Sequence, residues 1–389
     1  MRLDYVYKWD AKAGYHMIRM HPSTWRYLCV SWRGKVMCWT VLPFGLQSAC
    51  RTYTVVGGAL QHLERELGGG LLSFVLDDKL GIARSLPEAC YRCLTGVMMM
   101  AAAGVVFSLD KCELWPVQLL RWLGLLLHVT PHPHWSIPED KLQRLHGMLS
   151  SMEQRQASCT PREMASLAGL LVSVAPATPL PRLLERALYL SIREGTSWEV
   201  ALPLPMQLRW FLRWMEPLLN PDSQQCINGT RWMKQPCAVS TLSLVADASN
   251  KAFAGCVLIG GELAAEIQVP FKEEQQQAVL RGDFSSTARE TKAGGMSGCY
   301  EPCSCRRRPD SGAGLQGVRL CLEALEAQPA YLELVRHREL RIICDNQGTQ
   351  AAFEALGGSS WEQLFDVAAV WSWCYKYDVQ PVFAWQPRE

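Results

Sequence analysis

The feature that most constrains this chain is an apolar run, Leu71-Leu72-Ser73-Phe74-Val75-Leu76, that stops at two adjacent acids, Asp77-Asp78. A short apolar run preceded by glycines at 68–70 reads as a buried strand. Adjacent carboxylates closing such a strand repel each other and lose hydration, so a compensating cation is expected. Ligands that are all oxygen select magnesium or manganese over zinc. Taken alone, the pair is more simply an acidic turn after a strand. A third acid, Asp10, ends a second strand-like stretch, Asp4-Tyr5-Val6-Tyr7-Lys8-Trp9, and strengthens the metal reading.

The 389 residues allow two or three domains with a sizeable core, and an apolar content of 49% excludes wholesale disorder. A net charge of +2 announces no polyanionic partner, but the charge is uneven. Residues 1–60 carry Arg2, Lys8, Lys12, Arg19, Arg26, Arg33, Lys35 and Arg51 against Asp4 and Asp10. A basic region around the acids suits a polyanionic substrate, and a solvated charged surface is the plainer alternative. The sixteen cysteines are scattered along a long chain with no signal peptide. Reduced thiols in an intracellular protein of the cytoplasm or nucleus are therefore expected, not a secreted disulfide scaffold. Cys90 and Cys93 form a lone CxxC without a second pair nearby, which argues against zinc. Leu94 to Leu109 approaches membrane-span length but contains Thr95, Gly96, Gly104 and Ser108. It reads as a core helix followed by a strand, and no membrane partner is expected.

Along the chain, a strand over 4–10 and a hairpin over 27–42 around Trp32-Arg33-Gly34-Lys35 are predicted. A helix from Ala49 to Leu67, a strand over 71–78, a helix over 87–103, a strand over 105–109 and a strand pair over 119–129 follow. This β-α-β-β order, with helices on one side, predicts an α+β layer. Residues 138–192 read as helical with a break at Pro176, Pro179 and Pro181, and Thr160-Pro161-Arg162-Glu163 forms a capping box. Trp210, Phe211, Trp214 and Leu218 mark an amphipathic helix whose aromatics serve a core rather than a base-stacking platform. A polar linker leads into a second α/β unit. Its strands are expected at 242–247, 252–260, 262–269, 339–345 and 379–385, with helices near 286 and at 347–356. Residues 294–314 lack periodicity and read as an insertion or gene-model artefact; a zinc loop of Cys299, Cys303 and Cys305 would lack a clear fourth ligand.

Four elements occur in order: Asp10 through Gly14-Tyr15-His16, then Leu42-Pro43-Phe44-Gly45-Leu46, then Leu76-Asp77-Asp78, then Gly104 through Ser108 with Lys111. Together they resemble the palm motifs of reverse transcriptases, and Trp122-Leu123-Gly124-Leu125 resembles the primer-grip hairpin that follows. The Leu167 to Ser173 segment within Arg162–Tyr189 makes the resemblance greatest to retrotransposons of the tyrosine-recombinase (DIRS-like) group. The resemblance implies an α+β palm and a helical thumb that extend a primer by two-metal nucleotidyl transfer. Asp10 and Asp77 would bridge Mg2+ (or Mn2+), with Asp78 shaping the site. Tyr15 would be the aromatic gate against ribonucleotides, Gly45 would let the nucleotide and template approach, and Lys111 would sit near the triphosphate. A packed core aromatic and a solvated lysine are the alternatives for Tyr15 and Lys111. Implied partners are an RNA/DNA primer–template, deoxynucleoside triphosphates and other parts of the retrotransposon polyprotein. Template contacts should be mostly to backbone and salt-sensitive.

A second resemblance covers 242–389. The stretches around Asp247, Glu290 and Asp345 are similar to three acidic motifs of RNase H domains, which imply a metal-bound carboxylate cluster and a mixed sheet. Gly255 fits the returning strand of that fold. Expected domains are thus a palm at 1–135, a helical thumb or connection at 136–216, a linker at 217–241 and an RNase H-like domain at 242–389. The fingers that precede Asp10 in the family, and the fourth RNase H motif after Trp385-Gln386-Pro387-Arg388-Glu389, are expected to be missing, leaving RNase H inactive. Val75 and Cys50 are mild departures from the family pattern. Two readings follow: a reverse transcriptase fragment with an RNase H-like domain, or a catalytically dead remnant that at most binds nucleic acid or a protein.

Overall fold

The structure, a computed structural model, describes residues 4–68, 71–130, 133–154, 158–192, 197–228, 238–248, 252–270, 273, 277, 317–344, 347–357 and 360–385. By its internal contacts the chain divides into two compact units, Met1–Ser136 and Ile137–Glu389.

The first unit contains strand β1 (Tyr5–Asp10), helix α1 (Pro22–Trp25), strands β2 (Cys29–Trp32) and β3 (Lys35–Cys38), and helix α2 (Ala49–Gly68). Strands β4 (Leu71–Val75) and β5 (Asp78–Ala83), helix α3 (Leu86–Ala102) and strands β6 (Glu113–Val117), β7 (Leu119–Trp122), β8 (Leu125–His128) and β9 (His134–Ser136) complete it. An antiparallel sheet in the order β4-β5-β1-β6 is its centre, and β7-β8-β9 form a smaller sheet. Strand alternation divides the central sheet's residues between two cores. Val6 and Leu80 pack with Leu120, Trp122 and Leu127 of the smaller sheet. Tyr7 and Trp9 pack instead with Ala89, Cys93 and Met100 of α3. Ser85 caps α3 by accepting from the Glu88 amide, and Gly104, at φ +86°, reverses the chain just beyond it.

Three sequence expectations change here. The strand predicted over 71–78 ends at Val75, turns at Leu76-Asp77, and returns as β5, with Val75 opposite Asp78. Leu76 holds the turn at φ 52°, a left-handed conformation for which no glycine or asparagine signalled. The segment 105–109 is not a strand; it makes one isolated bridge, Ala11 to Phe107. The β2–β3 hairpin forms as predicted, with Arg33 (φ 49°) and Gly34 (φ 74°) supplying the two positive φ angles of its turn. Its register places Cys29 opposite Cys38, with Cα atoms 4.1 Å apart, and the two sulfurs are bonded. The expectation of reduced thiols throughout is corrected at this pair, while Cys50, Cys90, Cys93, Cys112, Cys226, Cys256, Cys321 and Cys374 are free thiols.

The second unit opens with helix α4 (Glu139–Gln154), strand β10 (Ser158–Cys159), helices α5 (Pro161–Val174) and α6 (Pro181–Ile192), strand β11 (Leu202–Pro203) and helix α7 (Met206–Leu219). The predicted capping box is present: Thr160 accepts from the Glu163 amide while Glu163 accepts from the Thr160 amide. Phe211 is buried in this helical core, and Trp210 stacks on Trp214 and meets Phe365 edge-on. A mixed sheet follows, in the order β14-β13-β12-β15-β16, from β12 (Val239–Ala248), β13 (Ala252–Ile259), β14 (Glu262–Pro270), β15 (Glu339–Cys344) and β16 (Gln380–Trp385). Strands β12, β15 and β16 are parallel, and the β12–β13–β14 meander is antiparallel. Helices α8 (Gly317–Ala327), α9 (Pro329–Val335), α10 (Gln347–Glu354) and α11 (Trp361–Tyr377) accompany this sheet. Gly255 is required by packing, since a Cβ there would overlap the Cys321 sulfur of α8. No described helix is long and apolar enough to cross a membrane.

Candidate active site

The β1–β5 register sets Asp10 directly opposite Asp78. The chain beyond β1 continues the pairing, with the Ala11 amide donating to the Asp77 carbonyl at 3.0 Å. Asp10, distant in sequence from Asp77 and Asp78, therefore shares one end of the sheet with them. The loop after α3 closes over them: Ser108 donates its amide to the Asp10 carbonyl at 2.9 Å, and Lys12 donates to Val106 at 2.8 Å. This loop brings Lys111 Nζ to 3.7 Å from Asp10 Oδ1, with the lysine well exposed. The Cys112 thiol accepts from the Asp10 amide at 3.4 Å.

Burial pushes the Asp77 carboxyl up, and the Asp10 charge adds to this, while a hydrogen bond from Tyr53 and the charge of Lys111 oppose it. Burial also pushes Asp78 up, followed by repulsion from Asp10 and Asp77 against the pull of Lys8 and Lys111. Asp77 Oδ1 is buried and accepts no hydrogen bond of normal geometry. Gly14 provides the space for this carboxyl, because a Cβ there would overlap both Asp77 Oδ1 and the Tyr53 hydroxyl. The Tyr53 phenol is itself pushed up by burial and by Asp77.

Tyr15 packs its ring 5.0 Å from those of Phe44 and Tyr53, so it belongs to an aromatic cluster that borders Asp77. Burial, then Cys50 and Asp77, push its phenol up. Gly45 adopts φ +84° with open space around it, a conformation that disfavours any side chain. Hard oxygen donors with an orphaned, buried carboxylate oxygen fit a magnesium-type cation, which needs only one or two carboxylates when a phosphate substrate completes its shell. Among the described residues no three acidic, histidine or cysteine side chains converge as a complete ligand set.

Three residues at this end of the sheet carried no sequence prediction. Tyr53 lies on the inner face of α2. Lys79, the residue after Asp78, and Glu64 of α2 form an ion pair buried at 1% and 3% exposure beneath the acids. Burial draws the Lys79 ammonium down to about 7. A lysine on the apolar face of a strand, opposite Phe74 and Trp9, was the available signal.

In the second unit, Asp247 stands near the C-terminal end of β12, opposite Ala254, and the neighbouring parallel strand β15 ends at Cys344. Glu290, Asp345, the 294–314 insertion and the end of the chain from Gln386 lie outside the described residues.

No protein-family model and no curated protein matches this sequence. Among solved structures, a foamy viral protease-reverse transcriptase in complex with dsDNA aligns over 100% of this chain and 69% of its own, at 15% identity and a TM-score of 0.49. The same type of protein in complex with an RNA/DNA hybrid aligns over 99% of this chain at 16% identity and a TM-score of 0.48. This chain spans 44% of that protein's length. Superpositions this loose carry no argument about activity.

Proposed function

We propose that this chain carries the palm and thumb of an RNA-directed DNA polymerase, the reverse transcriptase of a DIRS-like retrotransposon, joined to an RNase H-like domain. One observation carries the reading: the β1–β5 register brings Asp10, Asp77 and Asp78, each within a motif of that family, to one end of one sheet. The order of the motifs along the chain supports it independently of the geometry.

In this reading Asp10 and Asp77 hold the divalent cation, with Asp78 beside them. When bound, magnesium supplies the positive charge that the primer 3′-oxygen and the triphosphate need. The Tyr53 hydroxyl stands beside Asp77 over Gly14 and helps to fix where that carboxyl sits. Tyr15, braced by Phe44 and Tyr53, walls the ribose side and disfavours a 2′-hydroxyl. Gly45 leaves room at the nucleotide, and Lys111 places an exposed positive charge beside Asp10 for the triphosphate.

The test is deoxynucleotide incorporation on a poly(rA)/oligo(dT) primer–template with magnesium or manganese, comparing the chain with Asp77→Asn. Incorporation that the substitution removes supports the polymerase. Folded wild-type protein without incorporation favours the second reading, a catalytically dead remnant that at most binds nucleic acid or a protein.

A further inference from the structure

Beneath the acids lies a charged pair for which nucleotidyl transfer has no direct use. Lys79 follows Asp78 in β5, but strand alternation sends it to the opposite face, where it stands between Phe74 of β4 and Trp9 of β1. Its Nζ lies 5.1 Å from the centre of the Trp9 ring and donates to Glu64 Oε1 of α2. Glu64 Oε2 is buried without a partner. The site is carved out of an apolar core by Gly96 of α3, since a Cβ there would overlap Glu64 Oε1 and lie 2.9 Å from Lys79 Nζ. Burying two charges costs several kcal/mol, and apolar residues of equal size would pack here as well or better. What a buried ion pair supplies instead is a directional contact made in one register only.

Helix α2 needs such a register. Its inner stripe carries Tyr53, Gly57, Gln61 and Glu64 at helical spacing, with the exposed Arg65 at its edge. Gly57 receives the Phe74 ring, Gln61 and Arg65 donate to the Leu72 carbonyl at 3.0 and 2.9 Å, and Tyr53 reaches Asp77. Apolar contacts along this stripe tolerate sliding and rotation, whereas the contact between Glu64 and Lys79 does not.

We propose that Glu64 and Lys79 are positioning residues, an ion pair that locks α2 onto the β4–β5 hairpin so that Tyr53 meets the Asp77 carboxyl. The proposal rests on the polymerase reading for its effect on turnover, but not for its effect on Tyr53.

The decisive variant is the double substitution Glu64→Leu with Lys79→Met, which removes both charges and keeps the volume. It is expected to unfold at or above the wild-type temperature, to lose about ten- to a hundredfold in kcat, and to leave KM for the deoxynucleotide nearly unchanged. Incorporating 3-fluorotyrosine at position 53 gives a readout independent of turnover. At one fixed pH, Asp77→Asn should move this 19F resonance in the otherwise wild-type chain. In the double variant that movement should vanish. A double variant that keeps both this movement and wild-type kcat would overturn the proposal. Should wild type fail to incorporate nucleotides, the polymerase reading falls and the resonance alone decides the positioning role. Glu64→Gln, which keeps the shape and removes the charge, replaces the double variant if that variant does not fold. Loss of the Tyr53 movement is expected there too, and its persistence would count against the pair.

Discussion

Asp78 and Lys79 are neighbours in β5, yet they leave the sheet on opposite faces and meet opposite electrostatic conditions. On one face Asp78 stands across from Asp10 and beside Asp77, so like charges accumulate and burial raises the Asp77 and Asp78 carboxyls. On the other face Lys79 meets Glu64, and the charge is neutralised inside the protein. The contrast teaches how a small sheet can keep a charge imbalance at one surface. The imbalance is tolerated because the structure beneath it is tightly registered and pairs its own opposite charges. An unneutralised cluster is what a ligand cation needs; a neutralised pair is what a scaffold needs.

The largest test of this contrast is Asp77→Asn. Nucleotide incorporation should fall below about one hundredth of wild type, since residues that merely support metal ligands already cost about 10–100-fold. The fold should persist, and thermal melting should show a midpoint no lower than wild type, because a repulsive charge has gone. Lys79→Met should do the reverse. It strands Glu64 in the core, and urea titration should register a loss of about 3–5 kcal/mol. Gly96→Ala crowds the same pair, and overpacking should cost about 1–3 kcal/mol in the same assay.

The pH dependence sharpens the comparison further. Asp77 and Asp78 have folded-state values above their ordinary 3.8, so their contribution to stability is fully present below 3.8 and is lost as pH rises through the raised values. Asp10→Asn removes one cause of both rises and should flatten that decline in urea midpoints measured across pH. Adding magnesium near neutral pH should restore midpoint in wild type more than in the variant. Smallest of all is Lys111→Met. A pair at 3.7 Å whose lysine is largely in solvent contributes at most about 1 kcal/mol, so melting should hardly change, while incorporation should fall if the lysine serves the triphosphate.

Most elements were legible because their signals are local. The alternation in β1, the Arg33-Gly34 turn, the Thr160 capping box and the amphipathic stripe of α7 each announce themselves within a few residues. The β4–β5 hairpin was not legible as a two-residue turn, because Leu76 takes the left-handed position where glycine or asparagine would have signalled it. Reading the two acids as the end of a strand concealed that Asp78 begins the next one. Of the site, the acids were readable from their motifs, whereas Tyr53 and Glu64 depend on which face of α2 meets the sheet. That is decided by packing, which periodicity alone does not fix. The Cys29–Cys38 bond was missed for a similar reason: composition describes the whole chain, and a cross-strand pair depends on the register of one hairpin.

The sequence Asp-Asp-Lys also acts as a parity check during folding. If β5 slipped by one residue against β1, every side chain would change faces. Asp78 would then be thrust toward Glu64, acid against acid in the core, and Lys79 would surface beside Asp10 and cancel the charge there. Each wrong pairing is penalised on one side and useless on the other, so the misregistered sheet has no stable resting place. Three consecutive letters thereby proofread the alignment of the strands that carry the acids.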